Sequence, residues 1–230
     1  PQFVKEAEEE SKKYHIDEEI SADGDRKLNK KEIISLILIL ASVVFWYMGY
    51  NAVTSKYSVY AGKVLNLDYN LTLMIASGAA IISYLPVGII SSKIGRKKAI
   101  LIGVAILCAA FGAAAFMRSG SSVMFMNTLF ALAGIGWATI NVNSYPMVVE
   151  LAKKGDVGKY TGYYYTATFS AQIASPIIYG VVRMLSGTYL SLFVYSPIMF
   201  ILSILCILFV KHGEAIPQEI VDKIEEENAD

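Results

Sequence analysis

The sequence predicts an all-α membrane protein, built as a bundle of six transmembrane helices. Hydrophobic residues make up 55% of the 230 residues, and charged residues concentrate at the two ends and in short breaks. A helix needs about 20 mainly apolar residues to cross the hydrocarbon core of a bilayer. Six segments come near this length, at residues 33–61, 71–90, 99–117, 123–151, 160–185 and 190–210. Because the breaks are short, we expect an antiparallel bundle over residues 32–211.

Polar segments flank this predicted transmembrane domain. Residues 1–31 are mixed in charge and predict a cytoplasmic linker, and residues 212–230 predict an acidic cytoplasmic tail. Asn29 and Glu32 have the spacing of a capping box, which predicts that the first helix begins here. A net charge of zero provides no basic surface for nucleic acid, so we expect no nucleic-acid partner.

The residue patterns of an enzyme or a metal site are missing from the apolar segments. His15 and His212 lie outside them, and no nucleophile is spaced with a base inside them. Cys108 and Cys206 lie within apolar segments and lack the spacing of a zinc site. We therefore expect no catalytic residue, no metal and no cofactor.

The distribution of basic residues predicts how the chain lies in the membrane. Twelve lysines and arginines lie close to the segments on one side, at residues 26–31, in the second and fourth breaks and directly after the last segment, and four lie on the opposite side. Loops rich in lysine and arginine stay in the cytoplasm. We therefore expect both termini to be cytoplasmic, in a multi-pass protein of the plasma membrane, most simply a bacterial inner membrane.

Three of the six segments carry polar residues that a passive lipid anchor would not need. Polar groups at membrane depth usually face the interior of a bundle or a water-filled cavity. The first, fourth and fifth segments are therefore expected to form the walls of a cavity, and the third and sixth to be peripheral. The expected solute-binding residues are Trp46, Tyr50, Asn51, Trp137, Asn141, Tyr165, Thr168 and Gln172.

The two central amide side chains, Asn141 and Gln172, have an alternative role. Each carries two donors and an acceptor, which its own helix cannot fully satisfy. They could line a wet cavity, or they could hold neighbouring helices together through hydrogen bonds. The sequence leaves both roles open.

Three short motifs resemble a known family. Residues 88–98 read GIISSKIGRKK and resemble the cytoplasmic loop signature of the major facilitator superfamily, with Ser92 where that signature has an acidic residue. Residues 49–52 (GYNA) and 143–146 (NSYP) are similar to the sugar-symporter branch that includes sucrose and glycoside carriers. The resemblance implies the C-terminal six-helix half of a twelve-helix protein, with a 3+3 inverted repeat. It also implies that the first and fourth helices line the cavity.

The function that this resemblance implies is secondary active transport by alternating access. The expected cargo is a small polar solute, a sugar or glycoside, moved with a proton or sodium ion. The expected partners are membrane lipid and an N-terminal six-helix half. The alternative is a self-contained six-span protein that acts by dimerisation or partner binding.

The resemblance also implies a cytoplasmic gate at the basic loop. Its expected residues are Gly88, Gly95, Arg96, Lys97 and Glu150. Glu150 is the only acid in the apolar segments after Glu32 and lies near the cytoplasmic end of its helix. We expect it to pair with Lys153, Lys154 or the basic loop rather than to couple proton transport.

Overall fold

The computed structural model describes residues 29–152 and 156–211, and these form six α-helices and no strand. The helices are α1 (Lys30–Tyr60), α2 (Asn70–Ile94), α3 (Arg96–Ala114), α4 (Val123–Val149), α5 (Val157–Ser186) and α6 (Leu192–Leu208). The predicted fold class, an all-α bundle of six helices, is confirmed. Most of residues 1–31, all of 212–230, and Lys153 and Lys154 lie outside the described residues.

The first helix begins at the predicted capping site and ends in an irregular turn. The Asn29 backbone N–H donates to the Glu32 carboxylate at 2.5 Å, which satisfies a donor that the helix start leaves free. After Tyr60 the backbone widens into a π-helical turn over Ala61–Leu65. This turn ends at Asn66, whose φ of 55° is left-handed.

The basic segment between α2 and α3 is shorter than the predicted break at residues 91–98. Only Gly95 separates the two helices, and its φ of 89° lets the chain turn within one residue. As a result α3 begins at Arg96 and ends at Ala114, three residues ahead of the predicted 99–117 at both ends. The residues expected to form a loop therefore lie in the last turn of α2 and the first turn of α3.

The packing of the helices shows an internal repeat. Helix α4 packs against α2 and α3, helix α1 packs against α5 and α6, and α3 meets α6 between them. If α1 is exchanged with α4, α2 with α5 and α3 with α6, the same pairs of helices are in contact. Because each repeat has three helices, the second repeat crosses the bundle in the opposite direction, which gives the 3+3 inverted arrangement.

Glycines allow the closest helix contacts. A Cβ atom placed on Gly103 of α3 would lie 2.9 Å from the Gly136 carbonyl oxygen of α4, and one on Gly136 would lie 2.8 Å from the Gly103 carbonyl oxygen. Gly134 is closer still to the backbone of α2, since a Cβ atom there would overlap the Ala76 carbonyl oxygen. Small residues at such crossings let helix backbones approach in a membrane, where apolar burial alone does not drive packing.

Five helices are long and apolar enough to cross a membrane, and α5 is not among them. Its 30 residues would span a bilayer, but tyrosine, threonine, serine and glutamine lower its hydropathy. Helices α2 and α5 also expose large apolar side chains, for example Ile82, Leu85, Phe169 and Ile173. Through their main contacts the helices pack side by side in the order α2, α4, α3, α6, α1 and α5. Helices α2 and α5 are therefore the outermost two, and each has a face that no other helix covers.

Candidate functional site

A group of aromatic rings connects the middle of α1 to the middle of α4. The Tyr50 and Trp137 rings are stacked, with centroids 3.8 Å apart and planes inclined by 5°. The Tyr47 ring meets Trp137 edge-on at 5.1 Å. On its other side Tyr50 lies near Phe111 of α3, at 6.4 Å. Trp137 is therefore held by two tyrosines, and its ring is half-buried.

Asn141 extends this group with polar atoms. The Tyr47 hydroxyl donates to Asn141 Oδ1 at 3.2 Å, and Asn141 Nδ2 donates to the Trp137 carbonyl oxygen at 2.8 Å. On α1, Asn51 Nδ2 donates to the Tyr47 carbonyl oxygen at 2.8 Å. Both asparagines are partly exposed. Each keeps an amide hydrogen for a further partner, so Asn141 both links two helices and presents a free donor.

A second aromatic group lies between α4 and α5. Tyr145 contacts Tyr164 at 5.4 Å and Tyr165 at 6.1 Å, measured between ring centroids. The Tyr164 hydroxyl is hydrogen-bonded to Ser144 at 2.9 Å. Tyr145 follows Asn141 by four residues on α4, about one helical turn, so this group lies next to the first. The two groups together form one continuous aromatic wall across α1, α4 and α5.

The predicted solute-binding residues do not all reach this wall. Tyr50, Asn51, Trp137 and Asn141 come together on α1 and α4. Tyr165 is 46% exposed and belongs to the second group. Gln172 is half-buried on α5, and its side chain makes no hydrogen bond with any described residue. Its amide is therefore available to a further partner.

Two of the predicted residues are instead enclosed by the bundle. Trp46 has an exposed fraction of 0%, and its indole N–H is buried without a hydrogen-bond partner among the described residues. Thr168 is 2% exposed and donates to the Tyr165 carbonyl oxygen at 3.0 Å. Both side chains are packed inside the bundle behind the aromatic wall, so neither is accessible to a solute in this conformation.

Tyr47, Tyr145 and Tyr164 were not among the predicted site residues. Tyr50 and Asn51 lie three and four residues after Tyr47, so all three point from one face of α1 and Tyr47 is at its centre. Trp46 lies 100° away around the helix. A helical projection centred on Tyr50 and Asn51 would therefore have selected Tyr47 and not Trp46.

The predicted gate residues form contacts at one end of the bundle. Arg96, at the start of α3, forms a salt bridge with Glu150, at the end of α4, and their side chains are 29% and 28% exposed. Lys97 Nζ donates to the carbonyl oxygens of Leu208 and Val210, at 3.3 and 2.5 Å, and so caps the end of α6. The start of α3 is thereby tied to two other helix ends.

The remaining residues of that predicted gate differ in their surroundings. Gly95 provides the turn that places Arg96 and Lys97 at the start of α3. Gly88 is half-buried in α2, and an added Cβ atom would meet nothing within 4 Å. The Ser92 hydroxyl donates to the Ile89 carbonyl oxygen of its own helix at 2.8 Å. Only Glu150 therefore supplies an acidic partner to Arg96 in the described part of the chain.

The aromatic wall is uncharged. No aspartate, glutamate, lysine, arginine or histidine occurs in residues 33–55, 119–149 or 160–182, which contain the central parts of α1, α4 and α5. Its polar groups are hydroxyls and amides. Such a surface recognises a ligand through stacking and neutral hydrogen bonds, and it offers no counter-charge to an ionic ligand.

Comparison with known proteins identifies related chains. The Major Facilitator Superfamily profile matches residues 5–176, about three quarters of the chain. An uncharacterized MFS-type transporter of Methanocaldococcus jannaschii is 27% identical over 180 residues, which is 77% of this chain and 43% of that protein. The chain thus spans less than half the length of this curated relative.

A solved structure shares the fold. It is a crystal structure of a POT family transporter in complex with a thioalcohol-conjugated peptide, and it superimposes with a TM-score of 0.65 at 17% identity. The match covers 75% of this chain and 37% of that one. The six-helix inverted repeat, the fold likeness and a family match over most of the sequence agree, and the chain belongs to the major facilitator superfamily, a family of membrane transporters and not of enzymes.

Proposed function

We propose that this chain is the C-terminal half of a twelve-helix secondary transporter that moves a small neutral polar solute, a sugar or glycoside, by cation symport. The observation that carries this proposal is the uncharged group of Tyr47, Tyr50, Trp137 and Asn141 between α1 and α4. It combines flat apolar faces with unused amide hydrogens.

The chemistry of this wall suits a sugar ring. The C–H faces of a sugar pack well on an aromatic ring, and the half-buried Trp137 ring, with Tyr50 stacked on it, would supply that surface. The unused amide hydrogens of Asn51 and Asn141, with the Gln172 amide, would bind its hydroxyl groups. Tyr165 would border the same cavity from α5.

The lengths of the relatives support a second half. The chain spans 43% of one relative and 37% of the solved transporter chain. An N-terminal six-helix half would cover the exposed apolar faces of α2 and α5, and membrane lipid would cover the outer helices. The central segments of this chain contain no acid, so a carboxylate that couples a proton or sodium ion would belong to the other half.

The Arg96 end of the bundle would act as the cytoplasmic gate. Rocking of the two halves about a midplane site requires that contacts at the helix ends hold one conformation and release in the other. The Arg96–Glu150 salt bridge and the Lys97 contacts with α6 lie at such ends. This assignment places both termini in the cytoplasm and the chain in the plasma membrane.

Binding measurements on variants of the full-length protein test the proposed solute site. In Asn141→Val and Gln172→Leu, each lost hydrogen bond to the solute should cost about 0.5–1.5 kcal/mol, roughly a 2- to 13-fold loss of affinity. Thermal stability without solute should change little, because hydrogen bonds between membrane helices average only about 0.6 kcal/mol. The measurements are thermal unfolding in detergent with candidate sugars, and uptake in vesicles.

Asn143→Val is the matched control. Asn143 lies on the same helix but is buried, and its amide donates to the Thr139 carbonyl oxygen at 2.8 Å. It should leave solute affinity unchanged. If Asn141→Val and Gln172→Leu lower stability in the absence of solute while affinity is intact, both amides serve helix packing and the solute site must lie elsewhere.

A further inference from the structure

A pair of cations at the end of the bundle opposite Arg96 has no counter-charge in the described part of the chain. Arg183, near the end of α5, lies over the Tyr189 ring with its guanidinium carbon 4.3 Å from the ring centroid. Lys63, in the π-helical turn after α1, places Nζ 5.3 Å from the same centroid. The two cations are therefore at most about 10 Å apart.

The hydrogen-bonding capacity of Arg183 is unused. Its Nε atom is buried, and neither this atom nor the rest of the guanidinium donates to any described residue. A buried donor without a partner is costly, particularly when it carries charge. The nearest acid along the chain from Lys63 is Asp68, whose carboxylate accepts the Asn70 N–H at 2.9 Å and pairs with neither cation.

Arg118, at the same end of the bundle, shows a different arrangement. Its guanidinium donates to the carbonyl oxygens of Ala115 and Met117, both at 2.7 Å, and so satisfies the end of α3. An arginine at this end can therefore find partners within the chain. Arg183 does not, although carbonyl groups at the end of α5 are close to it in sequence.

The segment that carries the ring shared by the two cations is tied to α5. The Tyr189 carbonyl oxygen accepts the Tyr179 hydroxyl at 3.4 Å, and Tyr189 opens the 3-10 turn Tyr189–Ser191 that leads into α6. Lys63 is exposed and Arg183 is partly exposed. The site is therefore anchored to α5 and α6, open at its surface and positively charged.

We propose that Arg183 and Lys63 bind a phosphate-type oxyanion beside the Tyr189 ring. A planar guanidinium binds two oxygens of one phosphate side by side, and an ammonium group on a flexible stem binds a third. The anion would separate two like charges and satisfy the buried Nε atom. Because the site lies where a transmembrane bundle meets the membrane surface, the phosphate could belong to a lipid headgroup or be free in solution.

Thermal unfolding of the full-length protein in a neutral detergent tests this site and identifies the source of the phosphate. One arm titrates short-chain phosphatidylglycerol, with diacylglycerol of equal chain length as the phosphate-free control. The other titrates inorganic phosphate against sodium chloride at equal ionic strength. We expect a saturable rise in unfolding temperature with phosphatidylglycerol, for a lipid site, or also with inorganic phosphate, for a free oxyanion.

Variants of the two cations test whether stabilisation by a phosphate compound arises at this site. Arg183→Gln and Lys63→Gln should each raise the ligand concentration at half-effect by roughly ten-fold or more, because each removes a charge-assisted hydrogen bond. Arg118→Gln should respond as the unmodified protein does. Lys63 is exposed, so its variant gives an answer even if Arg183→Gln does not fold. The proposal is overturned if Lys63→Gln retains the full response, or if neither phosphate compound stabilises the protein beyond its control.

Discussion

Gly95 is the residue on which the geometry of the basic segment depends. It joins α2 to α3 with φ 89° and ψ 148°, a backbone conformation that residues with a Cβ atom rarely adopt. The turn directs Arg96 towards α4 and Lys97 towards α6. The backbone conformation therefore explains why a glycine is required at position 95, independently of the family resemblance.

Replacing Gly95 with alanine should destabilise the protein by about 1–3 kcal/mol, because the native backbone conformation becomes strained. Gly88→Ala is the matched control, since Gly88 lies within α2 and has open space around it. That variant should be neutral or slightly stabilising, because alanine favours helix more than glycine does. Thermal unfolding of both variants provides the comparison, and equal effects would contradict the argument.

The Arg96–Glu150 salt bridge predicts that the effects of mutating its two residues on stability are not additive. Arg96→Gln and Glu150→Gln should each lower stability, and the double variant should lose less than the two losses combined, by about 0.5–3 kcal/mol for residues in direct contact. The low end is expected, since both side chains are about 29% and 28% exposed and solvent screens the pair. Uptake should also change if the pair acts as a gate.

A control for this cycle is Lys98→Gln, because Lys98 is exposed in the same turn of α3. Lys98→Gln should leave stability unchanged, and combining it with Glu150→Gln should cost no more than Glu150→Gln alone. Strict additivity of Arg96→Gln and Glu150→Gln would show that the salt bridge contributes nothing beyond its separate side chains.

Among the helices, α4 has the most crowded surroundings. It packs against α2 through Gly134 and against α3 through Gly136, and at both contacts backbone meets backbone. Trp137, Asn141 and Tyr145 lie on its face towards α1 and α5. One helix thus serves both as a packing centre and as a wall of the site.

Gly134→Ala should destabilise the bundle by about 1–3 kcal/mol, because the new methyl group would overlap the Ala76 carbonyl oxygen and one helix would have to move. The matched control is Gly112→Ala in α3, where an added Cβ atom meets nothing within 4 Å. Thermal unfolding and the yield of correctly folded protein are the measurements. If Gly134→Ala is tolerated as well as the control, α2 and α4 are not in the close contact described.

The orientation of the whole molecule remains a prediction from the twelve-to-four distribution of basic residues. Lys97 and Lys63 lie at opposite ends of the bundle, at the start of α3 and after the end of α1. In the full-length protein, single cysteines at Lys97 and Lys154 should react only with reagent applied from the cytoplasm, and one at Lys63 only with reagent from outside. Labelling of Lys63 and Lys97 from the same side would exclude the six-span arrangement.

Local composition was enough to predict the six helices and the basic segment, but not how they end. The single-residue turn at Gly95, the π-helical turn at Ala61–Leu65 and the 3-10 turn at Tyr189–Ser191 each depend on backbone conformation at a few residues. Hydropathy averaged over a span does not record such conformations. The predicted helix limits consequently differ by a few residues from those of the structure.

What the sequence by itself determined is the number of helices, the all-α class and the polarity of α1, α4 and α5, because segment length and polarity are properties of each segment alone. Only the tertiary structure decided that Tyr50 stacks on Trp137, that Glu150 pairs with Arg96, and that Arg183 shares a ring with Lys63. These contacts join residues far apart in the chain. They depend on the rotation of each helix about its axis and on where helices cross, and the close packing of small residues between helices decides both.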